Sequence, residues 1–294
     1  MRFPVATLER KRIPRIIFSI QPRGPLDTRK ILLLMKKGYE MGFWCFDLPT
    51  LRHLESFREL RQTEADETLI GFGHVEAVSG VSFLGKPLHQ FESKVISTII
   101  KNTIPPDLVK KLFPAHSPCE VLTQREIDRM ASDSYHFEKA LSPFNPGESP
   151  FLIVGGKYSD WLLALGRIDL LKEMVSMARK RGFIPIFSGQ WSTFVLPKAK
   201  PLEVAAYAIP INQKGSLFDL AQACPMIKRF EKPIISLNPL AEGSLLKKSE
   251  EALSFLFNEL KVYSAIIEVA SEEEMGEVIR GVMRIPSLIP FRKT

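Results

Sequence analysis

Polar and titratable residues recur just past short apolar runs along this chain: Gln21 and Arg23, Asp47, His74 and Glu76, Lys157 and Tyr158, Gln190, Asn212, Asn238 and Glu268. Gathered into a ring, such groups can transfer protons. Tyr158 would serve as the acid, with Lys157 or Arg52 stabilising its anion, and Asp47 and His74 complete the candidate catalytic set. The competing reading is that the same groups cap strands and solvate a surface, as polar side chains at strand ends commonly do. Gly155 and Gly156 either admit a ligand close to the backbone or relieve crowding. Support for a metal is thin. His116 and Cys119, with Glu120 adjacent, form a single H-x-x-C pair with no second pair, and the three cysteines, Cys45, Cys119 and Cys224, include no C-x-x-C. Neither a metal site nor a disulfide framework is expected, and a reducing cytoplasm suits unpaired thiols.

To bring these residues together, the apolar runs must be strands of one sheet. Eight runs bounded by turn residues are found: Arg15 to Ile20, Gly42 to Asp47, Leu69 to His74, Phe151 to Gly155, Ile184 to Ser188, Val204 to Ile209, Pro233 to Leu237 and Ser264 to Val269. Each is followed by a segment of helical period, the alternation that builds a parallel sheet with helices outside. Several are apolar on both faces, as strands inside a barrel must be. The pattern predicts an α/β fold, a single (β/α)8 TIM barrel spanning residues 1–294.

The helix boundaries agree with that count. Asp27 or Thr28 caps one helix and Gly42 ends it, while Asp169 and Gly182 play the same parts in another. Ser271 caps the last, whose first turn carries Glu272, Glu273 and Glu274, where the helix dipole favours acids. One segment breaks the rhythm. About residues 76–124, roughly fifty residues follow the third strand where a barrel loop takes about two to six. A helix over "HQFESKVISTIIKN" and a second from Pro105 and Pro106 are predicted there, with a further helix over "DRMASDSYHFEKALSPF" leading to the fourth strand. Phe91, Val95, Ile96, Ile99 and Ile100 form an apolar stripe that must be buried. Loops after strands lie on the face where barrels place their sites, so this insertion is expected to cover the mouth as a helical lid.

The totals exclude several classes. At 294 residues, 45% hydrophobic and 25% charged, the chain has ample material for a core. The net charge of +7 is spread along helices among glutamates rather than clustered, so nucleic acid is not the expected partner. No run approaches the ~18 apolar residues of a membrane span. The basic, then apolar start ends in "QPRG" rather than a small-residue cleavage site and is expected to form the first strand. A small-molecule ligand remains the expected partner.

The segment "PIISLNPLAEGSLL", residues 233–246, resembles the seventh-strand Y-S-P-L-x-x-G-x-L of the aldo/keto reductases. Downstream, "EEALSFLFNELKVYSAIIEVASEEEMGEVI" is similar to that family's A-L-x-W-L-L…V-x-S-x-I-P-G-A-x-S-x-x-Q-x-x-E-N, and "KKGYEMGFWCFDLPT" to its L-x-x-G-x-x-F-F-D-T-A. The resemblance covers most of the chain outside the insertion. It implies an oxidoreductase using NADP(H), with Asp47 at the family's aspartate and Gln190, Trp191, Asn238, Leu240 and Ser271 at cofactor positions. Departures are as informative. Arg52 stands where the family has its catalytic tyrosine, the third strand offers His74 in place of a lysine, and Gly155 and Gly156 replace a histidine. Glu268 and Ala270 occupy the places of a glycine and the arginine that holds the ribose phosphate. Two functions therefore stand: an aldo/keto reductase-like oxidoreductase with an altered NADP(H) site, or a non-redox protein from the same barrel that binds or acts on another small molecule. A purely structural module would lack a cavity at the mouth.

Overall fold

Runs apolar on both faces need hydrogen-bonding neighbours on both edges and cover on both sides, and a closed parallel barrel supplies both. The computed structural model describes residues 4–288 apart from 26, 103–108, 110–112, 114, 116, 118 and 215–219, and apart from the side chains of 192 and 193. The helix predicted from Pro105 and the His116 half of the H-x-x-C pair lie outside the described residues. In chain order the described strands are β1 (Val5–Leu8), β2 (Lys11–Pro14), β3 (Ile16–Ile20), β4 (Cys45–Leu48), β5 (Ile70–Glu76), β6 (Val81–Phe83), β7 (Lys86–Pro87), β8 (Met130–Ser132), β9 (Phe151–Gly155), β10 (Ile184–Ser188), β11 (Ala206–Pro210), β12 (Ile234–Leu237) and β13 (Ser264–Val269). Eight of them close the barrel in the order β3, β4, β5, β9, β10, β11, β12, β13, all neighbours parallel.

Three strands fall on the residues expected from sequence: β9, β10 and β13. β4 starts at Cys45 rather than Gly42 because Gly42, at φ 96°, ends the helix Thr28–Glu40, and Phe43 N–H bonds back to Gly38. Inside the barrel, alternate residues stack in layers. Ile17, Cys45, Phe72, Ile153, Ile186, Ala206 and Ile235 pack there, with Phe72 stacked on Phe151 at 4.7 Å between centroids. The opening segment, expected as a single strand, first makes the antiparallel hairpin β1–β2, turned at Glu9 and Arg10 with φ of 44° and 70°. Its Leu8 and Ile13 join the inner core and close the N-terminal end of the barrel.

The insertion departs from expectation. Its described residues begin with a short sheet in the order β7, β6, β8, followed in sequence after β7 by the helix Glu92–Asn102. Met130–Ser132, predicted as helix, pairs with β6 instead, and the next helix, Ser134–Leu141, starts only after Asp133, whose carboxylate accepts the His136 N–H. Of the predicted stripe Val95 and Ile99 are fully inaccessible, while Phe91, Ile96 and Ile100 are half-buried. It is covered at the barrel wall, not over the mouth: the helix Glu92–Asn102 packs on the helix Lys157–Ala164, and the turn Ala77–Gly80 packs on Lys157–Ala164, Ile168–Lys180 and Ser134–Leu141. Among the described residues of the insertion none lines the mouth cavity; Glu92 meets Lys157 and Tyr158 just past the end of β9, and Phe113 packs on Trp191 just past β10.

Candidate active site

The two-residue period of the strands decides which side chains reach the mouth. Above the apolar layers, the next inward positions are Ser19 on β3, Asp47 on β4, His74 on β5 and Glu268 on β13, with Ser19 registered against both Asp47 and Glu268. Gln21, Pro49, Gln190 and Asn212 extend the ring from the loops. Together with Pro210, Leu237, Asn238, Glu242 and Ile266 they enclose a cavity of about 530 Å3 at the C-terminal end of the barrel.

At the centre His74 Nε2 donates to Asp47 Oδ1 at 2.5 Å, joining two adjacent strands. Asp47 is nearly inaccessible while the His74 side chain keeps 26% of its exposure toward the mouth. Burial alone would depress the His74 pKa, but the charge and hydrogen bond of Asp47, joined by the charge of Glu76, outweigh it and raise it above the ordinary value. With Nε2 committed to Asp47, Nδ1 is the nitrogen that no hydrogen bond among the described residues engages. A carboxylate that orients an imidazole and holds its proton is an arrangement for general acid–base chemistry.

Lys157 and Tyr158 are not part of it. They open the helix Lys157–Ala164 and point to the insertion, where Glu92 accepts from Lys157 Nζ at 3.0 Å and from Tyr158 OH at 3.3 Å. The Tyr158 pKa is raised, by burial first and then by Glu92, with Lys157 opposing, so the pairing expected to ease its ionisation is overruled. Arg52 is exposed on the helix Leu51–Thr63. Sequence position put Lys157 at a strand end, but Gly156, at φ 87°, turns the chain outward, and a Cβ there would meet the Glu76 carboxylate at 2.1 Å.

Of the cofactor candidates, Gln190 and Asn238 line the cavity; Trp191, Leu240 and Ser271 do not. Trp191 is buried against Phe113 and Phe194, and Leu240 sits in the core. Asp160, missed from sequence, is buried beneath the Gln190 loop and accepts the N–H groups of Gln190 at 2.7 Å and Trp191 at 3.2 Å, leaving Oδ1 without a partner. Burial pushes its pKa well up, outweighing those two bonds. His53, also missed, is fully buried: Nε2 donates to the Ile20 carbonyl at 2.6 Å and Nδ1 accepts from Thr50 Oγ1 at 2.7 Å, tying β3 to the helix Leu51–Thr63 that follows β4. Its one signal was position, six residues after Asp47. Glu242 reaches the cavity from a turn in which Asn238, Ala241 and Glu242 all have positive φ and Asn238 Oδ1 accepts the Glu242 N–H at 2.6 Å.

The sequence matches no protein-family model and no curated protein. Solved structures are similar across nearly its whole length. The aldo-keto reductase of Bacillus halodurans in its apo form has a TM-score of 0.57 and 12% identity, over 97% of this chain and 92% of its own. Its holo form gives 0.55 at the same identity and coverage. A thermostable aldo-keto reductase solved with the inhibitor epalrestat gives 0.55 at 12% identity, over 95% and 93% of the two chains. The fold is that of the aldo-keto reductases.

On this barrel the residues at the positions expected to hold NADP(H) phosphates are acidic or apolar: Glu268 and Ala270. Glu268 lines the cavity on β13, and partial desolvation, then the charges of Asp47 and Glu242, raise its pKa. Beyond it the N-terminus of the helix Glu272–Met283 would be a ready anion site. The protein itself engages one of its donors and the N–H just before it: Ser271 Oγ accepts the Glu274 N–H at 3.3 Å, and Glu274 Oε2 accepts the Ala270 N–H at 2.7 Å. Arg23, the nearby cation, is bound to Glu274 at 2.9 Å. A pyrophosphate there would meet the carboxylates of Glu268 and of the acidic first turn, Glu272, Glu273 and Glu274. Among the described residues no group of three or more His, Cys, Asp or Glu side chains is arranged to hold a metal, and no helix is long and apolar enough to cross a membrane.

Proposed function

We propose that this barrel binds and acts on a small molecule other than a nicotinamide dinucleotide, using His74 as the proton-transfer group and Asp47 to orient it and stabilise its charge. The observation that carries the reading is the Asp47–His74 pair, buried on one side and open on the other to a cavity of about 530 Å3. Ser19, Gln21, Gln190, Asn212 and Asn238 surround it with hydroxyl and amide groups suited to a polar ligand. Nucleic acid and membrane have no part in this reading, and a reducing cytoplasm is its setting.

The second reading, an aldo/keto reductase-like oxidoreductase with an altered NADP(H) site, is favoured by the fold and by Gln190, whose amide faces the cavity where it is placed to hold a nicotinamide amide. Following NADPH absorbance during incubation with glyceraldehyde separates the two. No turnover is expected. Turnover abolished by His74→Ala would establish the reductase reading with His74 as its acid, and turnover abolished by Tyr158→Phe would restore Tyr158 to the catalytic set.

A further inference from the structure

The chain carries a formal net charge of +7, yet its mouth is acidic. Asp47, Glu242 and Glu268 line the cavity, His74 is paired with the first of them, and no lysine or arginine is among the described lining residues. Elsewhere the described acids are commonly matched by cations: Glu9 with Arg179, Glu148 with Arg58, Asp169 with Arg167 and Glu274 with Arg23. No ion pair among the described residues engages Glu242 or Glu268. Glu242 and Glu268 are both exposed at the mouth, and desolvation first, then the charges of Asp47 and Glu242, raise the Glu268 pKa.

We infer that the ligand of this cavity is an organic cation, a protonated amine on a hydroxylated frame, held by Glu242 and Glu268 with its hydroxyls on the amides of the ring. This rests on the small-molecule reading above and adds the sign of the charge. The enclosed volume suits a frame of sugar size rather than a bare ion, and the lining divides accordingly: carboxylates on one side, at β13 and the turn after β12, and the Asp47–His74 pair on the strands that continue the barrel from β3. An amine seated between Glu242 and Glu268 would lay its hydroxyl-bearing carbons toward His74. An anionic ligand would meet a lining with two uncompensated carboxylates, and a neutral one would leave them unrelieved.

Three probes of one size differ only in charge: glucamine, glucitol and gluconate. Titrated at low salt and neutral pH with detection by ligand NMR, glucamine should bind at least about tenfold more tightly than glucitol, equivalent to about 1.4 kcal/mol, with gluconate weakest. Glu268→Gln and Glu242→Gln, each checked for native folding by circular dichroism, should bring glucamine toward glucitol. No binding of glucamine, equal binding of glucamine and glucitol, a preference for gluconate, or a preference that survives both substitutions would overturn the inference. If glucitol and glucamine bind alike and His74→Ala weakens both, the charge assignment fails while the cavity reading stands; micromolar NADPH binding would remove the reading itself.

Discussion

Replacing Asp47 by asparagine should destabilise the protein most at acidic pH. The Nε2–Oδ1 distance is 2.5 Å, with side-chain exposures of 4% for Asp47 and 26% for His74. Charge centres on the order of 4 Å apart interact by about 4 kcal/mol at an effective dielectric near 20. Desolvation of the imidazolium and solvent access from the mouth offset roughly half of that, leaving ~2 kcal/mol. Asparagine keeps an acceptor oxygen at the same position, so the loss reports charge rather than shape. The His74 pKa in the folded protein lies above its ordinary 6.5, because Asp47 and Glu76 outweigh the burial that would depress it. A folded value raised above the unfolded one contributes stability that is complete below the unfolded pKa and is lost as pH rises through the folded pKa. Urea unfolding of wild type and Asp47→Asn should therefore differ by ~2 kcal/mol near pH about 5.5, and the gap should close at alkaline pH. A double-mutant cycle with His74→Gln isolates the pair term. A gap independent of pH, or one that widens as pH rises, would refute the ion-pair account.

Other substitutions probe the frame that holds the site. Asp160→Asn should be at least as stable as wild type at neutral pH, because the wild-type carboxyl, its pKa raised by burial, loses stabilising power as pH rises and asparagine does not titrate; Asp160→Leu should cost about 2–3 kcal/mol by stranding the Gln190 and Trp191 N–H groups. Phe72→Ala should cost roughly 3–5 kcal/mol in urea unfolding, since the ring is fully buried against Phe151 inside the barrel. Gly156→Ala should lower the midpoint of thermal unfolding, by about 1–2 kcal/mol in stability, because φ is +87° and the new Cβ would overlap the Glu76 carboxylate.

Much of the barrel was legible because its strands are apolar on both faces and its helices carry ordinary caps. Asp27 accepts the Arg29 N–H and Ser271 the Glu274 N–H, as their types and positions predict. What failed depended on long-range packing. The stripe through Val95 and Ile99 demanded burial, but sequence does not say against what, and the helix Lys157–Ala164 supplies a surface on which its helix packs. Lys157 and Tyr158 were misplaced for a related reason: two consecutive glycines at positive φ end β9 with a sharp turn, and one residue of rotation separates a side chain aimed into the mouth from one aimed at Glu92. Asp47, His74 and Glu268 lie on the inward face near the ends of β4, β5 and β13, and Gln190, Asn212 and Asn238 follow within two residues of the ends of β10, β11 and β12, so position at a strand end was signal enough. Asp160 gave no such signal, being a helical residue whose role is set by a loop thirty positions later.

Calorimetric titration of the purified protein with NADPH tests the central claim most directly. Glu268 at the mouth, the Glu274 carboxylate on the Ala270 N–H and Ala270 in place of an arginine predict no saturable heat up to about 1 mM, with Glu268→Gly, Ala270→Arg together gaining affinity. Saturable binding of the wild-type chain at micromolar concentration, about −8 kcal/mol, would contradict the account.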